Sequence, residues 1–224
     1  EIIKKYKEFV DLQYLGTHCG RVDDSVENKE MLEAQKNIFT EIKNKFKSFF
    51  PNIKTHAFAT GGMFSFKHNE FDMVRCGSAL YGLWKNNEFK EKHQGSSVFL
   101  NQVIKITAGI IHIKEVKKGE WIGYGEAFQA PLNMKIAILD IGYAHGLPRA
   151  ISNKYSVLIN KKPAPICGWI SMGMTCVDIT HIEKVTLRTR AIITDNIKNF
   201  DALAIGNACN IPSYSFTAGL SALI

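Results

Sequence analysis

The sequence contains little that would indicate a membrane, secreted or zinc-binding protein. Only five of its 224 residues are cysteine, and they form no Cys-x-x-Cys pair. An odd number of cysteines without that spacing favours reduced, buried thiols over a disulfide framework or a zinc site. No apolar run is long enough to span a bilayer, and there is no charged-then-apolar leader. We therefore expect a cytoplasmic protein with no membrane partner and no metal site.

A concentrated positive charge is also missing. Lys and Arg total 28 against 21 Asp and Glu, which gives a formal charge of +7, but the excess is spread over both halves of the chain. Lysine clusters such as Lys161-Lys162 lack interleaved aromatic residues, which favours solvated surfaces over a nucleic-acid groove. We expect no nucleic-acid partner, and a basic binding protein is the least favoured function class.

The first 84 residues alternate between strand and helix patterns, which predicts a parallel sheet or barrel. The longest segment, residues 28–50, has the spacing of one amphipathic helix that ends before Pro51. Its apolar face contains Met31, Gln35, Ile38, Ile42, Phe46 and Phe49. The other predicted elements are a helix at 2–10, strands at 12–15, 53–58 and 71–76, and a brief helix at 77–84.

The pattern changes after Lys85. A polar linker is predicted around residues 86–96, and beyond it β-branched residues alternate in segments separated by Gly, Pro and Asn turns, as in an antiparallel β domain. A complete barrel of eight strand–helix units needs about 250 residues, so the first domain is predicted to be incomplete. The predicted β segments are residues 98–113, 135–141, 157–159, 177–179 and 185–188.

Three blocks between Trp121 and Met174 place glycines around single aromatic, basic or thioether side chains. Glycine beside tyrosine lets other groups approach the backbone closely and holds the ring at an exposed turn. This pattern indicates a functional site, and ordinary turns between strands are the alternative. The blocks read Gly-Tyr-Gly at 123–125, Gly-Tyr-Ala-His-Gly-Leu-Pro-Arg at 142–149 and Gly-Trp-Ile-Ser-Met-Gly-Met at 168–174.

Seven motifs that follow one another along the chain carry a resemblance to a known family. They are Thr17-His18 with Asp23-Asp24, His56 within His-Ala-Phe-Ala-Thr, Asp72-Met73-Val74-Arg75-Cys76-Gly77 with Leu80-Tyr81-Gly82-Leu83, Gly123-Tyr124-Gly125, Gly142-Tyr143 up to Pro148-Arg149, Ser171-Met172, and Val177-Asp178-Ile179-Thr180. In this order they make the sequence resemble the carboxyl-terminal part of alanine racemase, from about Leu12 to the end. The resemblance implies an α/β plus all-β fold, with an incomplete (β/α)8 TIM-type barrel at residues 1–84 and a mainly antiparallel β domain at residues 85–224.

The resemblance implies a pyridoxal-phosphate isomerase that interconverts L- and D-alanine, or a similar small amino acid, and supplies D-alanine for peptidoglycan. Racemisation removes a proton from the α-carbon and returns one on the opposite face, while the cofactor accepts the electrons. Two bases are needed, and Tyr124 matches the family's tyrosine base. His18, Arg75 and His56 match the network that makes this phenol a usable base. Taken singly, these residues are better explained as core histidines and an ion-paired arginine, but taken together with Tyr124 they favour the active-site network.

The resemblance also implies a cofactor site and a substrate pocket. Arg75 matches the arginine that donates to the pyridine nitrogen, which limits the negative charge on the ring and favours simple racemisation. Phosphate contacts are expected from the Thr60 hydroxyl, the N–H groups of Gly77 and Ser78, and the Tyr214 hydroxyl. The pocket and its polar entryway match Tyr143, Met172, Asp23 and Arg149.

In the family, the tyrosine base and the pocket residues of the β domain enter the site of the other subunit in a head-to-tail dimer. The resemblance therefore implies a homodimer in which Tyr124, Tyr143 and Met172 serve a partner chain.

Several family features have no counterpart in the 224 residues. No lysine matches the strand-end motif of the Schiff-base lysine, and the arginine that holds the substrate carboxylate is missing with it. Ala59 stands in place of an asparagine, His145 of an aspartate, Trp169 of an entryway arginine and Gly173 of an aspartate. Two hypotheses stay open. The chain is either a catalytic portion, inactive alone, that needs an N-terminal barrel fragment in trans, or a noncatalytic remnant or dimerisation module.

Overall fold

The computed structural model describes residues 5–6, 8–20, 26–65, 70–93 and 99–220. They belong to two compact units, Glu1–Leu80 and Tyr81–Ile224. The helix predicted at residues 2–10 falls largely outside the described residues. Within the described ranges, no helix is both long enough and apolar enough to cross a membrane.

The first unit alternates strand and helix, as its sequence predicts. In chain order it contains β1 Tyr14–Gly16, α1 Val26–Lys47, β2 Lys54–His56, α2 Thr60–Ser65 and the start of a 3-10 helix at Ser78–Tyr81. The two strands pair in parallel, with Leu15 opposite Thr55, and α1 supplies the crossover that a parallel pair needs. The strand predicted at residues 71–76 is reduced to a single parallel bridge between His56 and Met73.

The buried face of α1 differs from the one that its apolar spacing predicts. Leu32 and Phe39 are buried, and they pack with Ala57 in the core of this unit. The predicted face positions Ile38 and Ile42 are instead 61% and 40% exposed. The prediction is wrong because α1 carries two adjacent apolar stripes, and periodicity alone cannot say which stripe lies against the strands.

The second unit is built on a six-stranded antiparallel sheet. Its strands are β3 Ile106–Val116, β4 Met134–Leu139, β5 Ser156–Ile159, β6 Lys162–Pro165, β7 Thr175–Asp178 and β8 Arg190–Thr194, and its helices are α3 Asn87–His93, α4 Ala202–Cys209 and α5 Ser213–Ala218. The strand order is β6-β5-β8-β3-β4-β7. An antiparallel bridge joins Ile166, just after β6, to Val177 in β7. The two ends of the sheet therefore meet, which protects its edges.

Three local predictions for this unit are wrong. The predicted polar linker contains α3, and Asn86 caps it by accepting a hydrogen bond from the N–H of Phe89 (2.8 Å). Residues 185–188 do not form a strand. The strand in that part of the chain is β8, which begins at Arg190. The prediction also misses β6, because Pro163 and Pro165 lack the N–H groups of an ordinary strand and are compatible only with an edge position.

Candidate active site

Arg75 is the centre of a polar cluster in the first unit. Its Nη1 donates to Nδ1 of His56, and its Nη2 donates to Nδ1 of His18 (3.0 Å) and to the carbonyl of Thr17 (2.9 Å). A longer contact of 3.4 Å joins Nη2 to the carbonyl of Ala57. The ends of β1 and β2 thus bring two histidines to one guanidinium, and these three residues are the ones that the resemblance assigns to an active-site network.

The hydrogen bonds to Arg75 determine the tautomer of both histidines. A guanidinium has donors only, so Nδ1 of His56 and Nδ1 of His18 each accept, and the proton of the neutral ring lies on Nε2. Burial, and then the neighbouring charge of Arg75, lower the pKa of His56 below its ordinary value of 6.5. His56 is therefore neutral at pH 7 and presents an Nε2–H donor.

Gly16 provides the space that the His56 ring occupies. The two residues face each other across the β1–β2 pair, and a Cβ built on Gly16 would overlap the imidazole. A side chain at this position would push the ring away from Arg75. Gly16 therefore positions His56 without contributing any chemistry of its own.

Thr60 and the turn that contains Gly77 form a second polar group in this unit. Thr60 is the first residue of α2, and its Oγ1 accepts hydrogen bonds from the N–H groups of Gly77 (3.1 Å) and Ala79 (3.5 Å). A Cβ built on Gly77 would meet no atom within 4 Å, so that side of the turn is open. Ser78 begins the 3-10 helix. The N–H of Gly77, predicted to bind phosphate, is thus donated to Thr60 in this structure, and the donors that the open turn offers to a phosphate are the Thr60 hydroxyl proton and the N–H of Ser78.

Tyr124 lies at the tip of a hairpin in the second unit. The hairpin is held by a hydrogen bond from the N–H of Ile122 to the carbonyl of Phe128 (2.9 Å). Gly123 and Gly125 on either side have φ angles of +78° and +65°, which glycine adopts without steric cost. The Tyr124 side chain is 68% exposed, and among the described residues its hydroxyl has no hydrogen-bond partner.

Asn153 ties the Tyr124 hairpin to a neighbouring loop. Its Nδ2 donates to the carbonyl of Ala127 (3.1 Å), and its Oδ1 accepts from the N–H of Gly168 (2.6 Å). Gly168 has a φ of +80°, and a Cβ there would overlap the carbonyl of Ile122. These contacts fix the hairpin at its base, so the tip that carries Tyr124 is positioned by the rest of its unit.

The predicted entryway residue Arg149 lies over the ring of Trp169, with 5.0 Å between its Cζ and the ring centroid. The same ring lies against the Tyr124 hairpin, because its Cδ1 and Nε1 would each be 3.7 Å from a Cβ on Gly125. The resemblance implies arginines at positions 149 and 169. Here Arg149 and Trp169 form a cation–π pair instead.

Tyr143 and Met172, the predicted pocket residues, lie next to each other in the second unit. The N–H of Tyr143 donates to the carbonyl of Ser171 (3.0 Å), and the N–H of Ala144 donates to the carbonyl of Met172 (2.9 Å). Gly142 permits this approach, since a Cβ there would overlap both carbonyls. The Tyr143 and Met172 side chains are exposed.

Two of the altered positions are neighbours. His145 accepts a hydrogen bond from the N–H of Gly142 at Nδ1 (3.2 Å), a contact for which an aspartate carboxylate would also serve. The Cε1 of His145 is 4.0 Å from the position of a Cβ on Gly173. The histidine ring therefore lies beside the glycine, where the resemblance implies two aspartates.

Two predicted residues remain, Tyr214 and Asp23. Tyr214 is an exposed residue of α5 in the second unit, and Asp23 lies outside the described residues. In the part of the chain that the structure describes, no three His, Cys, Asp or Glu side chains are grouped so that they could hold a metal ion.

Comparison with known proteins identifies the family. The domain family described as alanine racemase, C-terminal domain, matches residues 103–224, and alanine racemase, N-terminal domain, matches residues 1–85. The chain belongs to the alanine racemase family. Its predicted fold class, a barrel portion followed by a mainly antiparallel β domain, is confirmed by these matches and by solved alanine racemases.

Curated alanine racemases are similar over most of this chain. The protein from Leptospira interrogans serovar copenhageni is 36% identical over 171 residues, which cover 74% of this chain and 43% of that protein. The protein from Helicobacter pylori strain J99 is 34% identical over 200 residues, which cover 82% of this chain and 49% of that protein. The chain thus spans about half the length of these relatives.

Two solved alanine racemases have the same fold. The structure from Acinetobacter baumannii has a TM-score of 0.78 and 29% identity, and the similarity covers 98% of this chain and 58% of that one. The structure from Bartonella henselae, which has covalently bound pyridoxal phosphate, has a TM-score of 0.76 and 27% identity. The similarity covers 97% of this chain and 56% of that one.

Sequence reasoning missed two residues that position the predicted ones. Gly16 directly precedes the Thr17-His18 motif, and the sequence signal is a glycine that follows the strand predicted at residues 12–15; only the structure shows that it belongs to β1, where a glycine often marks close backbone approach. Asn153 has a φ of +60°, a conformation that asparagine tolerates in turns. That signal predicts a turn but cannot reveal which hydrogen bonds the side chain makes.

Proposed function

We propose that this chain is the tyrosine-bearing portion of an alanine racemase that interconverts L- and D-alanine with pyridoxal 5'-phosphate and supplies D-alanine for peptidoglycan. The observation that carries the proposal is the Arg75 cluster, in which one guanidinium holds His18 and His56 within the unit that also presents Thr60 and Gly77. The chain is inactive alone, because the lysine that holds the cofactor has to come from a barrel portion outside these 224 residues.

The first unit fits the cofactor. Nη1 and Nη2 of Arg75 are engaged by the two histidines and backbone carbonyls, whereas its Nε–H has no acceptor among the described residues and remains available to a ring nitrogen. The open turn at Gly77, with the Thr60 hydroxyl and the N–H of Ser78, suits the phosphate. When bound, the cofactor supplies an electron sink for the carbanion at the substrate α-carbon.

Tyr124 is the proposed base on one face of the substrate. A free phenol has a reference pKa of about 10 and needs nearby donors or cations to act as a base at neutral pH. The Tyr124 hairpin supplies neither a donor nor a cation, since the Tyr124 hydroxyl has no hydrogen-bond partner among the described residues. We infer that the activating groups are the His18, His56 and Arg75 cluster of the assembled enzyme, which in a head-to-tail homodimer belongs to the partner chain.

Tyr143 and Met172 are the proposed walls of the substrate pocket. Both side chains are exposed on one loop pair, and the backbone bonds around Gly142 hold that pair rigidly. Arg149 and Asp23 are proposed for the entryway, where the Trp169 ring orients the Arg149 guanidinium. Tyr214 is proposed to complete the phosphate site. We place the enzyme in the cytoplasm, where free alanine is available.

The proposal is tested by assembling the enzyme from two polypeptides. The chain is mixed with an N-terminal barrel portion that carries the cofactor lysine, and D-alanine formation is measured for the wild type and for Tyr124→Phe. Activity in the wild type and its loss in Tyr124→Phe support the proposal. Tyr14→Phe, which removes a hydroxyl from a similarly exposed tyrosine at the start of β1 (52% against 68%), retains activity.

A second candidate function is a noncatalytic remnant or dimerisation module. It is favoured by the altered positions His145, Trp169 and Gly173, which change the polarity of the proposed pocket and entryway. A complex that forms with the barrel portion but produces no D-alanine in either form would select this alternative.

A further inference from the structure

Two of the five cysteines lie opposite each other in the second unit. Ile166 and Val177 form an antiparallel bridge. One residue nearer the intervening loop, the N–H of Cys167 donates to the carbonyl of Cys176 (2.9 Å). Residues directly opposite each other in an antiparallel pair point to the same face of the sheet. The two thiols, which we call the Cys167–Cys176 pair, are therefore neighbours.

The Cys167–Cys176 pair packs at the base of the Tyr124 hairpin. Both side chains belong to a small apolar cluster that is separate from the main core of the second unit. The same cluster contains Ile122 and Phe128, whose backbone hydrogen bond (2.9 Å) holds the hairpin. A change in the distance between the two sulfur atoms would therefore disturb the residues that support Tyr124.

The pair also encloses a second proposed functional segment. Residues 168–175 run from one cysteine to the other, and they include Trp169 and the proposed pocket residue Met172. A bond between the two sulfur atoms would close this segment into a covalent loop. The Cys167–Cys176 pair is thus placed where one covalent change affects two parts of the proposed site.

The spacing of such a pair permits a disulfide. Directly opposite residues that share a backbone hydrogen bond have Cα atoms about 5.5 Å apart, which is inside the range of about 4.4–6.8 Å found in disulfides. Their Cβ atoms are about 4.5–5.5 Å apart, whereas a disulfide has about 3.8 Å. Bond formation thus draws the two Cβ atoms together by roughly 1 Å, and strain of this kind makes a disulfide easier to reduce.

The two thiols are free and differ in their access to solvent. Cys167 is 2% exposed, and burial, followed by the charge of Asp178, raises the pKa of its thiol to about 12. Cys176 is partly exposed, and burial raises the pKa of its thiol as well, although the charge of Lys114 opposes this. Thiolate is the reactive form of cysteine. An oxidant therefore reacts slowly with the pair, and it reaches Cys176 first.

We propose that a hydroperoxide converts the Cys167–Cys176 pair to a reversible disulfide that displaces the Tyr124 hairpin. The Cys176 sulfur takes one peroxide oxygen, which gives a sulfenic acid and releases water or an alcohol. The Cys167 sulfur then attacks the Cys176 sulfur, the S–O bond breaks, and water leaves. The two thiols lose two electrons and two protons, and the peroxide gains them. The effect on racemisation rests on the proposed function, whereas the disulfide does not.

Peptide mass spectrometry of the full 224-residue chain after treatment with hydrogen peroxide tests the disulfide. We expect a linked peptide pair in which Cys167 and Cys176 have each lost one hydrogen atom, and a thiol reductant should separate the two peptides. Cys176→Ala, which changes the partly exposed member, should abolish the product. Cys209→Ala is the matched control, because it removes another partly exposed thiol, and it should leave the product unchanged.

Cys167→Ala separates access of the oxidant from the geometry of the pair. This variant cannot form the disulfide, so the sulfenic acid of Cys176 should accumulate and be trapped by a cyclic 1,3-diketone. A trapped sulfenic acid in the wild type without any disulfide overturns the inference. Peroxide that modifies neither thiol of the wild type overturns it as well. Circular dichroism of the alanine variants, which should match the wild type, shows that they fold.

The displacement of the Tyr124 hairpin is measured on the same oxidised chain. Its amide NMR signals at Ile122 and Phe128 should shift, and a thiol reductant should restore them. Racemisation by the chain assembled with a barrel portion should fall by roughly tenfold or more, whereas Cys176→Ala should keep its activity in peroxide. Equal activity of the oxidised and reduced wild type overturns the proposed displacement. A disulfide and shifted signals without racemisation in either state support the inference and reject the proposed function.

Discussion

His56 packs its imidazole directly over Gly16, the residue opposite it in the parallel β1–β2 pair. The contact leaves no room for a Cβ and holds the ring where Arg75 can donate to its Nδ1. A glycine, which has no side chain, thus controls the geometry of the Arg75 cluster.

Gly16→Ala should separate His56 from Arg75. The added methyl forces the ring or the strand to move, at a cost of about 1–3 kcal/mol in the free energy of unfolding. Chemical denaturation measures the cost, and the His56 ring resonances report the displacement. Gly77→Ala is the matched control, because its Cβ meets no atom within 4 Å and stability should change by less than about 0.5 kcal/mol. Equal stability of the two variants would contradict the packing described.

The protonation of His56 should stabilise the unfolded chain relative to the folded one. Burial and Arg75 lower the pKa of His56 in the folded state below 6.5, so as the pH falls through 6.5 the unfolded state binds the proton first. The neutral His56 ring therefore makes its full contribution to the free energy of unfolding above pH 6.5, and this contribution is lost as the pH falls towards the pKa of His56 in the folded state. An NMR titration of the ring should give a midpoint below 6.5. Arg75→Leu should raise that midpoint without restoring 6.5, because burial, the larger cause, remains.

Gly168→Ala should disturb the Tyr124 hairpin. The new Cβ would overlap the carbonyl of Ile122 and would also strain a backbone with φ of +80°, so we expect a loss of about 2–4 kcal/mol in the free energy of unfolding. Gly119→Ala has the same kind of strain, with φ of +89°, but its Cβ meets no atom within 4 Å. It should therefore cost only about 1 kcal/mol. If the two variants are equally destabilised, the close approach at Gly168 is not what holds the hairpin.

Asn153→Ala should loosen the same hairpin from its other side. The change removes the hydrogen bonds to Ala127 and Gly168, and amide exchange at Ile122 should become faster. Asn160→Ala is the control, since Asn160 also has a positive φ and donates to a single carbonyl, that of Glu183. Asn160→Ala should leave exchange at Ile122 unchanged. Faster exchange in both variants would mean that the effect is general destabilisation.

The sequence identifies candidate site residues, but it does not identify the residues that hold them in place. Tyr124 between two glycines and Arg75 in its motif are recognisable because the chemistry restricts both the residue and its neighbours. The buried face of α1 was predicted one position away from Leu32 and Phe39, because two apolar stripes lie side by side and only tertiary contacts choose between them. Asn153 could not be assigned a role, since its two partners lie 26 and 15 residues away along the chain.

The central claim is that Tyr124 acts as one of two bases on opposite faces of the substrate. The most direct measurement is α-proton exchange from L-alanine and from D-alanine in D2O, with the chain assembled with a lysine-bearing barrel portion, for the wild type and for Tyr124→Phe. We predict that Tyr124→Phe loses exchange from one enantiomer, retains it for the other and no longer racemises either. Exchange that persists from both enantiomers, or that falls equally for both, would contradict the assignment.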